Sequence, residues 1–190
     1  MINKERKRTK ITKRTNDFLF DKIILLFGKS GAGKSSVGEY MAEKINGLHI
    51  SMGDFIRDYL KTNPPKENLL KNEYLFQKLA KFIKTKKKYR YFILACNPYP
   101  QDCLEELLDF IRVYSKECFC FEIFINNQIA LSRNKIEKHG DNYQQRLLYY
   151  KNSIKPALLR FNKFYKIKKI KNYKSLKSTA EKIIKISQVI

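Results

Sequence analysis

The sequence predicts an α/β fold in which one parallel sheet carries helices on both faces. Short apolar runs, of the length that buried strands need, alternate along the chain with segments whose apolar residues recur at helical spacing. This alternation favours parallel strands, because a parallel pair requires a crossover connection that is usually a helix. The 190 residues contain no internal repeat and no sharp change of composition, so we expect one core rather than two.

In the first half of the chain, each predicted strand is an apolar run and each predicted helix has apolar residues three and four positions apart. The first strand contains the run Ile23–Phe27, and the Asn63–Pro65 segment is a break. The helix Leu69–Lys84 is expected to bury Leu75, Leu79, Phe82 and Ile83. The elements in order are a strand at Phe18–Phe27, a helix from about Lys34, a strand at Leu48–Ser51, and helices at Asp54–Lys61 and Leu69–Lys84.

The second half continues the alternation. The helix Gln101–Tyr114 is expected to bury Leu104, Leu107, Leu108 and Ile111, and Pro156 should mark a kink or a new first turn in a long helix. Lysines suit an edge strand at Lys166–Ile170. The elements in order are strands at Tyr91–Cys96 and Cys118–Ile125, a helix from Gln128 interrupted near His139–Asp141, a helix at Tyr143–Phe164, the edge strand, and a helix at Ser178–Ile190.

The segment Gly28–Ser35, between the first strand and the first helix, fits the phosphate-loop pattern of glycines at the first and sixth positions followed by Lys and a hydroxyl residue. Glycines allow successive backbone N–H groups to face one anion, and the helix N-terminus adds positive charge. Lys34 would reach the β- and γ-phosphates, and the Ser35 hydroxyl would bind Mg²⁺. The sequence thus predicts ATP and Mg²⁺ binding by Gly28, Lys29, Ser30, Gly31, Ala32, Gly33, Lys34, Ser35 and Ser36.

The formal net charge is +22, from 40 basic and 18 acidic residues. Half of the basic residues lie in three segments: Met1–Arg14, Lys81–Arg90 and Lys163–Lys177. Such blocks form solvated faces or arms, and they also neutralise the phosphates of a polyanion. We therefore predict a basic N-terminal arm at 1–16 and a globular domain at 17–190. Contact with RNA or a ribosome and a simple bias of composition both remain open explanations for the charge.

Other features narrow the class of protein. The longest apolar runs are too short to span a bilayer, and no secretory signal is evident. We expect an intracellular, cytoplasmic monomer, unless it belongs to an assembly; the basic segment Met1–Arg14 leaves mitochondrial targeting as an alternative. The cysteines lack zinc-site spacing, and Cys118 and Cys120 should point to one face of their strand as free thiols.

The stretch Leu48–Arg57, which contains Ser51, Gly53, Asp54 and Arg57, resembles adenylate kinases and related nucleoside monophosphate kinases. That resemblance implies a P-loop NTPase fold with three α/β/α layers, a parallel five-stranded sheet, and shortened NMP-binding and lid segments. It also implies that Ser51, Gly53 and Arg57 hold an acceptor monophosphate, with AMP as the first choice.

The resemblance extends from about Ile23 to Ile190. Arg133 and Arg146 are similar to two arginines of the family that contact phosphates, which implies a role in neutralising the transferring group. Gln101 is similar to the glutamine that reads the acceptor base, although its spacing is two residues short. Lys138 stands at a position of the lid where the family has arginine.

The chain also departs from the family. After the third strand, Ala95 and Tyr99 stand where the family has the Walker B aspartate and an acceptor-binding arginine, and Gly140 replaces a lid aspartate. These losses would affect phosphoryl transfer more than the fold. An alternative function is therefore a catalytically impaired, kinase-like module bound to RNA. A second alternative is a small-molecule kinase of the gluconate type, whose Ala-Cys-Ser stretch is similar to Ala95–Asn97.

Overall fold

In the computed structural model the described residues are 19–62, 73–86, 88–97, 102–134, 143–172 and 175–188. Their five strands form one sheet in the order β2-β3-β1-β4-β5, and every neighbouring pair is parallel. The strand that precedes the phosphate loop therefore lies at the centre, where both of its faces can be covered. The strands are β1 (Phe20–Phe27), β2 (Leu48–Ser51), β3 (Tyr91–Ala95), β4 (Ser115–Phe124) and β5 (Ile167–Lys171).

Helices connect the strands, as parallel pairing requires. A five-residue π-helical segment, Tyr150–Ile154, joins two of them without a break in the backbone. None of the helices within the described ranges has the length and apolar character needed to cross a bilayer. The helices are α1 (Lys34–Ile45), α2 (Met52–Thr62), α3 (Glu73–Lys84), α4 (Asp102–Tyr114), α5 (Asn127–Asn134), α6 (Tyr143–Tyr149), α7 (Lys155–Phe161) and α8 (Leu176–Ser187).

The sheet has a separate apolar cluster on each face. Alternate residues of β1 point to opposite faces, so that Ile23, Leu25 and Phe27 pack with α3, α4 and α7, while Ile24 and Leu26 pack with α1, α5 and α8. All five of these β1 side chains are fully buried. The result is the three-layer α/β/α arrangement of a P-loop NTPase-like fold.

The structure confirms the five parallel strands and the edge position of β5. It corrects several details. The fourth strand begins at Ser115, three residues earlier than Cys118, and the second helix begins at Met52, directly after β2. Phe82 was expected in the core but is 40% exposed, and its ring contacts that of the partly buried Phe55 at a centroid distance of 5.9 Å.

The long helix expected at Tyr143–Phe164 is divided into α6, the π-helical segment and α7, and it ends at Phe161. Pro156 lies in the first turn of α7, where the π-helical segment passes into α-helix within a continuous helical backbone. The prediction of a new first turn is thus confirmed. The predicted arm at 1–16, the break at Asn63–Pro65 and the interruption at His139–Asp141 lie outside the described residues.

Cys118 and Cys120 point to the same face of β4, as the alternation predicts, and their sulfur atoms lie 3.7 Å apart. The hydrogen bond to Cys118 and the burial of Cys120 both raise the pKa of the Cys120 thiol. Across the described ranges, His, Cys, Asp and Glu side chains form no group of three that could hold a metal ion.

Candidate functional site

The loop Gly28–Ser35 turns sharply because its three glycines have positive φ angles: 143° at Gly28, 74° at Gly31 and 87° at Gly33. Residues with a side chain rarely adopt these conformations. Gly33 is the N-cap of α1, so the first N–H groups of the helix emerge beside the loop. The loop therefore presents backbone donors and the positive end of α1 to the same space, which suits a phosphate group.

The ammonium group of Lys34 lies inside the curve of the loop. Its Nζ atom donates hydrogen bonds to the carbonyl oxygens of Gly28, at 2.8 Å, and Lys29, at 3.1 Å. These contacts hold a positive charge at the place where the loop would bind a polyphosphate. They also mean that Lys34 must exchange backbone carbonyls for phosphate oxygens when it binds a nucleotide.

Three asparagine side chains hold the loop from the ends of three strands of the sheet. Asn97, after β3, accepts a hydrogen bond from Gly28 N and donates one to Gly28 O, both at 3.0 Å. Asn172, after β5, donates to Ala32 O at 2.9 Å, and its own oxygen accepts from the Thr179 hydroxyl at 3.0 Å. The carboxyl ends of parallel strands meet at one edge of a sheet, which explains why residues so distant in sequence converge here.

The third of these residues, Asn127, follows β4 and accepts a hydrogen bond from the ammonium group of Lys29. Lys29 is only 8% exposed, and burial lowers its pKa. Ala32 is fully buried beneath the loop. The side chains of Lys29 and Ala32 are therefore buried behind the loop and do not line the cleft. Any contact of these two residues with a nucleotide would come from their backbone.

An open cleft with a volume of about 700 Å³ runs from the loop across the carboxyl ends of the strands. Such an edge is where α/β sheets usually bind ligands. Eleven of the residues that the sequence singled out line it, and they come from the loop, α1, β2, α2, α5 and α6. They are Ser30, Gly31, Gly33, Lys34, Ser35, Ser36, Ser51, Gly53, Arg57, Arg133 and Arg146.

Opposite the loop, the start of α2 forms the second wall of the cleft. The backbone N–H of Asp54 points to the Ser51 hydroxyl at 3.5 Å, and the Arg57 guanidinium pairs with the Asp54 carboxylate. The guanidinium of Arg57 also lies beside Gly53, where a Cβ atom would be 3.4 Å from Arg57 Nη1, an ordinary van der Waals contact. The pair is partly exposed, so its free energy is small, and Arg57 is available to a phosphate that competes with Asp54.

Two further arginines reach the phosphate loop from α5 and α6. Arg146 Nη1 lies 3.4 Å from the Ser30 hydroxyl, and Arg133 Nη1 would lie 3.7 Å from a Cβ atom at Gly33. Both side chains line the cleft. The structure thus brings Lys34, Arg133 and Arg146 to one loop. Gln101 and Lys138, the other two site residues singled out in the sequence, lie outside the described residues.

The donor set fits a nucleotide better than it fits a tightly held metal ion. The Ser35 hydroxyl lines the cleft and can serve as a Mg²⁺ ligand, whereas Ala95, at the end of β3, offers no carboxylate. Among the described residues that line the cleft, Asp54 is the one carboxylate, and it is paired with Arg57. A metal ion here would depend mainly on Ser35 and the phosphates of the nucleotide.

Sequence reasoning missed several residues of this site. In the sequence Asn97 stood out only as part of the Ala95–Asn97 stretch that differs from one kinase family and is similar to another, and Asn172 did not stand out at all. No local pattern marked either residue as a support of the loop. Tyr149 and Tyr150 line the cleft as well. Tyr150 donates a 2.7 Å hydrogen bond to Glu122, and burial together with this bond raises the pKa of the phenol.

Comparisons with known proteins find short similar segments in adenylate kinases. The adenylate kinase of Rickettsia africae is 40% identical over 50 residues, which are 26% of this chain and 24% of the relative. That of Flavobacterium johnsoniae is 50% identical over 40 residues, 21% of each chain. The chain thus matches about a quarter of the length of these curated relatives. No family model matches the chain.

Proposed function

We propose that the chain binds ATP with Mg²⁺ on the loop Gly28–Ser35 and transfers the γ-phosphoryl group to a nucleoside monophosphate, with AMP as the favoured acceptor. One observation carries the proposal: the phosphate loop and the α2 wall face each other across one cleft, with Arg133 and Arg146 beside them. The partial likeness to adenylate kinases supports a nucleotide kinase.

Each basic residue has a task in this reaction. Lys34 would leave the Gly28 and Lys29 carbonyls and neutralise the β- and γ-phosphates, while Arg133 and Arg146 neutralise charge that spreads over the transferring group. Ser51 and Arg57 would hold the acceptor phosphate, with Arg57 binding as a planar fork. Bound Mg²⁺, with Ser35 as a ligand, would supply further charge neutralisation on ATP. Without a carboxylate at Ala95, we expect slow turnover.

The test measures ATP binding with and without Mg²⁺, and then turnover with AMP, GMP, CMP, UMP and gluconate on the same preparation. We expect Lys34→Ala to weaken ATP binding and Arg57→Ala to raise the KM for the monophosphate while ATP affinity is unchanged. Turnover with gluconate alone would favour a small-molecule kinase. ATP binding without turnover on any acceptor would contradict the kinase and leave a nucleotide-binding module.

A second function, contact with RNA, is favoured by one surface. We define the β5 lysine surface as Lys163, Lys166, Lys168, Lys169 and Lys171, all of which are exposed. Phe164, within the same stretch, is 55% exposed and could stack on a base. Glu122 lies opposite Lys169 in the sheet, but its side chain is only 17% exposed. Positive charge with a free aromatic ring suits a single-stranded polyanion.

The test is the salt dependence of binding to single-stranded RNA. Replacing Lys166, Lys168 and Lys171 by Gln should reduce the affinity and lower the slope of log K against log salt by about 0.7 for each phosphate that a lysine no longer neutralises. A matched control replaces the exposed Lys44, Lys151 and Lys182 by Gln, which removes the same charge elsewhere. Equal reductions in the two triple variants would contradict a specific surface.

A further inference from the structure

Asn97 makes two hydrogen bonds with one residue of the phosphate loop. Its Oδ1 atom accepts from Gly28 N and its Nδ2 atom donates to Gly28 O, both at 3.0 Å. A side-chain amide offers a donor and an acceptor on two neighbouring atoms without a net charge, which matches the N–H and C=O groups of one residue. A carboxylate could accept from the N–H group, but it would face the carbonyl oxygen with negative charge.

The Gly28 carbonyl oxygen has a second donor, Lys34 Nζ, at 2.8 Å. When Lys34 turns towards the phosphates of a nucleotide, this carbonyl loses that donor. A partly buried carbonyl without a partner is costly, and the cost would be subtracted from the affinity for the nucleotide. Asn97 Nδ2 remains as a donor to the same oxygen.

We propose that Asn97 is a positioning residue of the phosphate loop, which fixes the Gly28 backbone and keeps its carbonyl hydrogen-bonded when Lys34 moves to the phosphates. This inference rests on the proposed function for its effect on ATP, but not for its effect on the loop itself. The stretch after β3 thus has a structural role of its own, because Asn97 holds the loop through a neutral amide.

The first arm of the test needs no nucleotide. Labelling with ¹⁵N-glycine gives at most seven backbone amide signals, one for each glycine, so the exchange of the Gly28 amide can be followed by NMR. In Asn97→Ala this amide should exchange about tenfold faster, because its acceptor is removed. In Asn97→Asp it should stay protected, because a carboxylate oxygen still accepts from it.

The second arm measures ATP affinity. Asn97→Ala and Asn97→Asp should both weaken ATP binding by about tenfold, since neither can donate to the Gly28 carbonyl. The matched control is Asn162→Ala, which removes the 2.7 Å hydrogen bond from Ile167 N to Asn162 Oδ1, outside the cleft. This variant should lose some stability but keep the ATP affinity of the unchanged chain.

The difference in Gly28 amide exchange between Asn97→Ala and Asn97→Asp separates positioning of the loop from general support of the fold. A general loss of stability would expose all loop amides in both variants and would not spare Gly28 in Asn97→Asp. An unchanged Gly28 exchange rate in Asn97→Ala, or unchanged ATP affinity in both variants, would overturn the proposal. If the unchanged chain failed to bind ATP, the proposed function would fall, and the exchange arm would still decide whether Asn97 holds the loop.

Discussion

At the scale of the residue, the site depends on backbone positions that leave no space for a side chain. Gly28 combines a φ of 143° with close contact to β4, since an added Cβ atom would lie 2.5 Å from the carbonyl oxygen of Ile123. Gly33 shows the same combination, with Asn172 Nδ2 at 2.8 Å from its hypothetical Cβ. The two motif glycines therefore serve the packing of the loop as well as its dihedral angles.

Gly28→Ala should lower the free energy of unfolding by about 2 kcal/mol or more, because the new Cβ meets a backbone atom and the φ angle is unfavourable. Urea denaturation measures the loss. Gly53→Ala is the matched control: its Cβ would make only an ordinary 3.4 Å contact with Arg57 in a helix, so stability should change by less than about 0.5 kcal/mol. Equal effects of the two substitutions would contradict the steric argument.

His49 predicts a pH dependence of stability. Its ring packs against Gly38 of α1, and its Nε2 atom is buried without a hydrogen-bond partner among the described residues. Burial lowers the pKa to about 4 from its usual 6.5, against a smaller opposing effect of Asp54. The unfolded chain therefore binds a proton more readily between these two values, so His49 should reduce stability as the pH falls from about 6.5 to about 4.

The measurement compares urea midpoints between those pH values for the unchanged chain and for His49→Phe. The variant should show a smaller decrease at low pH, because it has no group to protonate at this position. His139→Asn replaces the other of the two histidines and serves as the control. A decrease in His49→Phe as large as in the unchanged chain would assign the pH dependence to other groups.

At the scale of the element, a side chain of the π-helical turn bonds the segment from α6 to α7 to the sheet. A π-helical turn adds a residue within a helix and often occurs beside a functional site. Here Tyr150 and Ile154 line the cleft, and the Tyr150 hydroxyl is bonded to Glu122 of β4. The turn thus sets the position of α6, which carries Arg146.

Tyr150→Phe should lower the free energy of unfolding by about 1–3 kcal/mol, because a hydrogen bond to a largely buried carboxylate is removed. Thermal or urea denaturation gives the magnitude. Tyr165→Phe is the control, since the ring of Tyr165 stacks on Phe161 at 5.6 Å and that contact is retained. A smaller effect in Tyr150→Phe than in the control would show that the bond to Glu122 contributes little.

At the scale of the whole molecule, the net charge of +22 remains after all 18 acidic residues have been counted, so most of the 40 basic residues have no carboxylate to pair with. Lysines and arginines repel one another on such a surface, which destabilises the folded chain. A polyanion that neutralises these charges would therefore stabilise the fold as well as bind to it.

The urea midpoint should rise when NaCl is increased from about 0.01 M to about 0.15 M, where the Debye length falls from about 30 Å to about 8 Å. KCl should act as NaCl does, because screening depends on ionic strength and not on the identity of the cation. A midpoint that falls with salt would mean that attractive ion pairs outweigh the net repulsion.

Much of the fold could be predicted from the sequence, since local physics decides it. Apolar runs give the strands, and the glycines with Lys34 and Ser35 give a phosphate loop between β1 and α1. The alternation of strands and helices along the chain predicted helices on both faces of the sheet, and the lysines predicted that β5 is an edge strand. Boundaries were less predictable: Ser115 is polar, yet β4 begins there, since Ser115 pairs with Phe20 of β1 and its hydroxyl can donate to Asp21 O, at 3.1 Å, or to Glu117 O, at 2.9 Å.

The sequence by itself determined that this chain has a glycine-rich loop of the phosphate-loop pattern on a parallel sheet, with an excess of positive charge. Only the tertiary structure decided what surrounds that loop. Asn97, Asn127 and Asn172 are ordinary polar residues in sequence, and they meet because the carboxyl ends of β3, β4 and β5 converge at one edge. Hydrogen bonds between residues so far apart leave no local pattern, because sequence periodicity reports only which way each side chain points.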